Sequence, residues 1–282
     1  MMKNKFVYGL RRLAFYLLVL FIAAYTLFPF YWAFSTSFKT EDEMFRRASL
    51  FPQNPTLKNY QYVLQSDRFL LALRNSAFVS GSTVLLSLAV GSLAAYALGR
   101  LRFRGRTALL YVILSMTMFP SISILSGLYS IVRDFGVYGT PVALLMTYPV
   151  FTLPFTVWVL TAFFKGLPSE IEQAAIVDGA SQFQIFRLIM LPLIAPALVT
   201  TGLLAFVSSW NEYLFALNFT LTNPSAQTVP VAIARFSGID ALQEPVAEIM
   251  AAAMIVTIPL VLLVLIFQNR IVAGLTAGAV KG

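Results

Sequence analysis

Two stretches of this chain combine residue types and spacings that suggest a task. The first covers residues 168–192. Ser169 stands three residues before Glu172, and Ser181 three before Gln184. Each pair fits a capping box, in which a hydroxyl takes the free backbone N–H groups and the later side chain reaches back. Pro168 predicts a stop before the first helix, and Gly179 a left-handed terminator after it. A helix between them is about 13.5 Å long at ~1.5 Å per residue, far too short to cross a bilayer. Ile171, Ala174 and Ala175 fall at i, i+3 and i+4 and predict a small-residue face that docks closely on another surface. Glu170, Glu172, Gln173 and Asp178 lie elsewhere on the wheel. Such a unit is short, stiff and capped, with Gly179 turning the chain and Pro192 marking where the next helix begins. The plainer reading is an ordinary polar loop with a short helix.

The second stretch is Trp210, Asn211, Glu212 and Tyr213. It sets two aromatic rings around an amide and a carboxylate. About 28 Å of helix from residue 193 puts Glu212 near the outer edge of a ~30 Å hydrocarbon core. An ionisable group there marks an aqueous path by default. The plainer reading is an interfacial aromatic belt with a snorkelling Glu212.

Composition narrows the chemistry. The 282 residues contain no cysteine and no histidine, which excludes thiolate and imidazole catalysis, disulfides and His/Cys zinc sites. The chain is 59% hydrophobic and 11% charged, with mean hydropathy +0.79. Soluble domains run near about 45–50% apolar and about 25% charged, so this is a membrane protein. The net charge of +8 does not gather on one face, and no nucleic-acid partner is implied.

The elements that must position both stretches are membrane helices. Uncharged runs predict six spans, at residues 13–38, 75–99, 107–132, 138–163, 193–217 and 249–269, each near the ~20 residues a spanning helix needs. The first is too long for a cleaved signal peptide and reads as an anchor, with Pro29 kinking it or ending its regular part. Residues 1–12 form a basic N-terminus, 165–192 the main inner loop and 270–282 a glycine-containing tail. With both ends inside, the inner segments hold twelve Lys/Arg against three acids, and the outer segments eight against eight. The excess lies on the inner side. The expected class is all-α: a polytopic membrane protein with six transmembrane helices and a short helix on the cytoplasmic loop.

The same residues carry a resemblance. Gln173, Ala174, Ala175, Gly179, Ile189, Leu191 and Pro192 are spaced like the EAA loop of ABC importer permeases. The form Glu-x-x-Ala-Ala-x-x-Asp-Gly-Ala, late in a six-helix chain, is similar to the carbohydrate permeases of the maltose type. The family letter Glu is replaced here by Gln173, with Glu172 beside it. The resemblance implies a coupling helix made by Glu172, Gln173, Ala174, Ala175, Asp178, Gly179, Ile189 and Pro192. It implies a second homologous permease subunit, two copies of an ABC ATPase that bind ATP and Mg, and an extracytoplasmic sugar-binding protein. The chain itself then binds no cofactor and is no enzyme, and it sits in a bacterial or archaeal inner membrane. Trp210, Asn211, Glu212 and Tyr213 resemble a stretch of the sugar permeases, whose cargo suits aromatic faces and hydrogen-bonding side chains; they are the candidate substrate path. The outer loop 222–247 is implied to face the binding protein, and the tail to extend between ATPase subunits. Two alternatives stay open: a permease of a non-sugar ABC importer, and an ion-coupled secondary carrier using Glu212.

Overall fold

The computed structural model describes the backbone of residues 2–46, 49–236 and 245–279, and side chains of residues 8–44, 49–236 and 245–268. The helices are α1 (Met2–Ser37), α2 (Glu41–Arg46), α3 (Lys58–Gln65), α4 (Asp67–Arg100), α5 (Arg106–Ser115), α6 (Ser121–Asp134), α7 (Pro141–Thr147), α8 (Pro149–Gly166) and α9 (Ser169–Val177). They continue with α10 (Gln182–Leu193), α11 (Ala195–Trp210), α12 (Leu214–Thr220), α13 (Val229–Ala234) and α14 (Val246–Ala279). No strand occurs among the described residues. The protein is all-α, as its apolar runs predict.

Among the described residues, four helical stretches are long and apolar enough to cross a membrane: Tyr8–Ser37, Asp67–Arg100, Pro141–Gly166 and Val246–Gln268. Two further candidates are bent. Arg106–Met118 and Ser121–Asp134 meet at 100°, and Gln182–Leu193 and Ala195–Trp210 at 77°. Counting each bent pair as one gives six.

The differences from the sequence reading have local causes. α1 runs unbroken from Met2 through Pro29 to Ser37, so neither the boundary at residue 12 nor Pro29 interrupts it. A helix among apolar neighbours tolerates a proline when nearby groups re-satisfy its backbone. The straight span expected over 107–132 is broken at Phe119 and Pro120. Phe119 is extended at φ −73° and ψ 130°, the conformation a following proline enforces. The fifth span does not run evenly from 193 to 217. α11 supplies only about 24 Å of rise, and the chain leaves the helix at residues 211–213 before α12 begins. α14 carries the backbone of the tail as helix to Ala279. The remainder of the tail, residues 280–282, lies outside the described residues, as do residues 237–244 of the outer loop.

The chain divides into two compact units. In residues 67–235, α4, α8 and α11 pack side by side. Small residues permit the close approach: a Cβ added to Gly91 would meet Thr156 Cγ2 at 2.6 Å, so only glycine fits there. Ser87 Oγ and Thr152 Oγ1 share a hydrogen bond of 2.7 Å between α4 and α8. Segment 221–235 is more than a connector. Asn75 Nδ2 donates to the Ser225 and Gln227 carbonyls, and the Val229 N–H donates to Ser76 Oγ, which ties the segment to α4.

The second unit comprises residues 1–66 and 236–257. Lys39 is buried there, donating to the Ser49 carbonyl at 2.6 Å with its ammonium 4.5 Å from the Trp32 ring centre. Asn59 Nδ2 bonds the Ser37 and Lys39 carbonyls, and the Glu43 carboxylate accepts the N–H groups of Gln53 and Asn54. These bonds fold the charged segment after α1 onto itself.

Candidate functional site

The loop between α8 and α11 forms two helices with a sharp turn, and each end of that turn has its own fastening. α9 closes on Gly179 at φ +79°. The Gly179 N–H donates to the Ile176 carbonyl and the Ala180 N–H to the Ala175 carbonyl, both at 3.0 Å. That pair of bonds is a Schellman motif and needs a left-handed residue at this point. α10 opens with the expected capping box: Gln184 N–H donates to Ser181 Oγ at 3.3 Å, and Ser181 N–H to Gln184 Oε1 at 2.8 Å.

The other expected capping box does not form. Ser169 is already the first helical residue, Pro168 holds the cap position, and no side chain caps α9. Glu172 is engaged elsewhere. Its Oε2 accepts from Arg100 Nε at 2.8 Å, in an ion pair whose side chains are only 8% and 15% exposed. The same guanidinium reaches the Phe164 carbonyl at 3.4 Å, Leu167 at 3.0 Å and Pro168 at 3.2 Å. Arg100, the last residue of α4, therefore gathers the carbonyls at the α8–α9 junction and pins the first turn of α9. The Tyr96 hydroxyl lies 3.2 Å from Glu172 Oε1 and 2.9 Å from Gln182 Oε1. One hydroxyl has one proton. With the Gln182 amide rotated to present its NH₂, the phenol donates to the carboxylate and accepts from the amide, and every group is served.

Beneath this polar latch lies an apolar core of Ala95, Tyr96, Leu160, Phe164, Ala175, Ile185, Phe186, Met190, Ile194 and Ala197. Burying an Ile or Met side chain is worth about 1.5–3 kcal/mol, whereas the desolvation of a largely buried ion pair cancels much of its attraction. The core holds the loop down; the largely buried Arg100–Glu172 pair sets its direction.

Of the expected small-residue face, Ala175 docks on this core, Ile171 is half-buried and Ala174 stays exposed. The surface turned outward is Gln173, Ala174, Ile176, Val177 and Asp178, joined by Phe183 from α10. Val177 is 87% exposed, Phe183 62% and Ile176 51%. These exposed apolar side chains stand on an otherwise polar loop. Arg100, Tyr96, Val177 and Phe183 are not marked by spacing in the sequence; the one signal for Arg100 is a basic residue ending an apolar run.

Ile189 is half-buried against the core and Pro192 is exposed. Pro192 does not start the next helix. It lies within α10, directly after a π-helical turn over Ile185–Met190, and the chain bends at Ile194 before α11. A proline there has no N–H for the Leu188 carbonyl, which suits a locally widened turn.

The second candidate stretch spans the break between α11 and α12. Trp210 is 6% exposed and stacks on Phe206 with ring centres 5.3 Å apart. Asn211 is exposed and bonds the Val207 carbonyl. Glu212 caps α12: Oε1 accepts the Phe215 N–H and Oε2 the Ala216 N–H, both at 2.9 Å. Tyr213 is exposed. The break thus separates the four residues into a buried ring, a capping carboxylate and two accessible side chains. Among the described residues no group of three His, Cys, Asp or Glu side chains could hold a metal ion.

Residues 87–276 match the family described as binding-protein-dependent transport system inner membrane component. The chain is 43% identical over 261 residues to the trehalose transport system permease protein SugB of Mycobacterium tuberculosis (strain CDC 1551 / Oshkosh), covering 93% of this chain and 94% of that one. It is 41% identical over 275 residues to the trehalose/maltose transport system permease protein MalG of Thermococcus litoralis, covering 97% and 98%. Among solved structures it is similar to a chain of a bacterial ABC transporter involved in the import of the acidic polysaccharide alginate. The TM-score is 0.78 at 22% identity, covering 91% of this chain and 95% of that chain, a likeness of fold.

Proposed function

This chain belongs to the binding-protein-dependent transport system inner membrane component family, and from that membership we propose that it is the permease subunit of an ATP-driven ABC importer for a sugar. Relatives at 41–43% identity over nearly the whole chain carry trehalose or maltose in their names, which favours a di- or oligosaccharide cargo over a non-sugar one. The ion-coupled alternative loses its candidate group, because Glu212 is engaged as the cap of α12.

The single observation that carries the mechanism is the fastened loop 168–192. In this reading both termini and the loop are cytoplasmic, and the apolar tip at Ala174, Ile176, Val177 and Phe183 seats in one of two ATPase copies. ATP and Mg belong to those subunits. When the ATPases close, α9 moves with them. Arg100 passes that displacement to α4, the buried core passes it to α8, and α10 turns it through the bend at Ile194 into α11. A second, related permease completes the pathway, and a sugar-loaded extracytoplasmic binding protein delivers to it. At the α11–α12 break Asn211 and Tyr213 are the side chains free to touch a passing solute; Trp210 and Glu212 hold the break in shape.

The test is a gentle extraction of the tagged chain from its own membrane with mass spectrometry of stoichiometric partners, followed by uptake assays under ATP depletion and under an uncoupler. A second permease and an ATPase, with uptake lost on ATP depletion but surviving the uncoupler, are expected. A chain that comes down alone, or uptake abolished by the uncoupler at normal ATP, overturns the reading.

A further inference from the structure

Tyr8, Arg11, Arg12, Phe15 and Tyr16 fall at i, i+3, i+4, i+7 and i+8 and so share one face of α1. That face is a shallow open groove of ≈ 430 Å³ lined by those five side chains. The Arg12 guanidinium sits 5.6 Å from the Tyr8 ring centre, which holds it beside the groove. Phe15 and Tyr16 meet edge to face at 5.7 Å and wall the deeper end. No Asp or Glu occurs before Glu41. The ion pair found among the described residues joins Arg100 to Glu172, so neither guanidinium of the groove has a carboxylate partner there.

Position decides what such a face can hold. The span Tyr8–Ser37 has 30 residues, about 45 Å of helix against a ~30 Å hydrocarbon core. The surplus leaves Tyr8, Arg11 and Arg12 at the headgroup level, while Phe15 and Tyr16 enter the acyl region. We propose that this face binds one anionic phospholipid of the inner leaflet. Arg11 and Arg12 present planar forks to its phosphate, and Phe15 and Tyr16 pack against the glycerol and the first acyl carbons. A zwitterionic headgroup brings an ammonium toward the same two cations and is disfavoured. A free phosphate makes no use of the two rings below the arginines, which is why the occupant is a lipid. The proposal rests on the reading of α1 as a membrane span with its N-terminus inside, and not on the cargo or on the coupling loop.

The experiment is native mass spectrometry of the full chain with its co-purifying subunits, exchanged into micelles holding equimolar phosphatidylglycerol and phosphatidylethanolamine. At roughly 1 kcal/mol per basic residue near an anionic surface, each guanidinium contributes about fivefold to retention and the pair roughly 30-fold. Wild type is expected to keep phosphatidylglycerol selectively. Arg11→Gln/Arg12→Gln should lose that preference, and Arg102→Gln/Arg104→Gln, which removes equal charge elsewhere, should keep it. Equal retention by the first double variant, equal loss by the second, or a protein cross-link at Phe15 in place of a lipid would overturn the site. Should the glutamine pair fail to insert, Arg11→Lys/Arg12→Lys decides. It preserves charge and topology, so severalfold weaker retention supports the fork geometry and unchanged retention overturns it.

Discussion

Glu172 and Glu212 stand forty residues apart, each close to a helix start, and their fates differ. Glu172 lies where spacing predicts a local cap, yet it bonds Arg100, distant in the chain, and its helix goes without a side-chain cap. Glu212 lies where depth predicts an aqueous path, yet it caps α12, bonding backbone groups three and four residues on, with the Tyr148 hydroxyl, distant in the chain, beside it. A carboxylate takes the strongest donor within reach. A guanidinium that also serves three carbonyls outcompetes a backbone N–H; where no cation is near, two free helix N–H groups suffice. One carboxylate thus joins elements distant in sequence through an ion pair and the other chiefly sets a local turn, so removing them should have different consequences.

The largest effect is expected where the loop turns. Gly179→Pro asks φ +79° to become about −65° and removes the N–H that closes on Ile176. The protein should remain in the membrane while uptake falls by at least about 100-fold and the ATPase is lost or runs uncoupled, at a local cost of ~3 kcal/mol or more. Uptake and ATP hydrolysis measured on the same preparation check this. Normal transport would show that the turn carries no force.

Arg100→Ala comes next and tests the long-range half of the comparison. It strands Glu172 and leaves the Phe164, Leu167 and Pro168 carbonyls without their shared donor. Breaking a fully buried pair costs about 3–5 kcal/mol; with partial exposure here, about 2 kcal/mol is expected, with uptake reduced roughly tenfold. Glu172→Gln should do much less, because an amide oxygen still accepts from Arg100. If the two variants behave alike in a thermal-unfolding assay and in uptake, charge rather than geometry holds the latch.

Glu212→Ala tests the local half. Loss of a helix cap costs about 0.5–2 kcal/mol, so a modest drop in unfolding temperature is expected. Uptake should show a change in maximal rate and little change in sugar affinity. Glu212→Gln, which keeps one acceptor oxygen, should fall between that variant and wild type in stability. A well-folded Glu212→Gln protein that has lost its affinity for sugar would return the carboxylate to the substrate path.

Much of the fold was legible because its causes are local. Uncharged runs give the helices, Gly179 gives the turn, and Ser181 with Gln184 gives the start of α10, since each needs only a few neighbouring residues. What was not legible depends on distance. No spacing rule brings Arg100 to Glu172, and so none could foresee that Ser169 would be left without a capping partner. The inward turn of Ala175 follows from the core of Phe164, Ile185 and Phe186, which assembles only when α4, α8 and α10 meet. The break at residues 211–213 is not legible because the run is apolar on both sides, and apolar composition alone does not report a helix end.

Gln173→Glu should have the smallest effect and bears most directly on which of the two adjacent side chains meets the partner. Gln173 is exposed beside the apolar tip, while Glu172 is turned inward to Arg100. Adding a carboxylate at 173 places a third negative charge, after Glu170 and Glu172, in the first turns of α9; the helix dipole favours it by about 0.3–1 kcal/mol, and repulsion from Glu170 three residues back offsets about 0.2–0.5 kcal/mol of that. It also places the charge next to Glu172, but i and i+1 side chains do not face one another on a helix. Stability should therefore change by less than about 0.5 kcal/mol, the range for exposed positions, and uptake by less than about twofold. Unchanged folding with loss of the ATPase in the pull-down would show that residue 173 contacts the partner directly and that its surface there requires a neutral amide. If assembly is instead indifferent to the charge, recognition rests on Val177, Ile176 and Phe183, and Val177→Asp should then release the ATPase where Gln173→Glu does not.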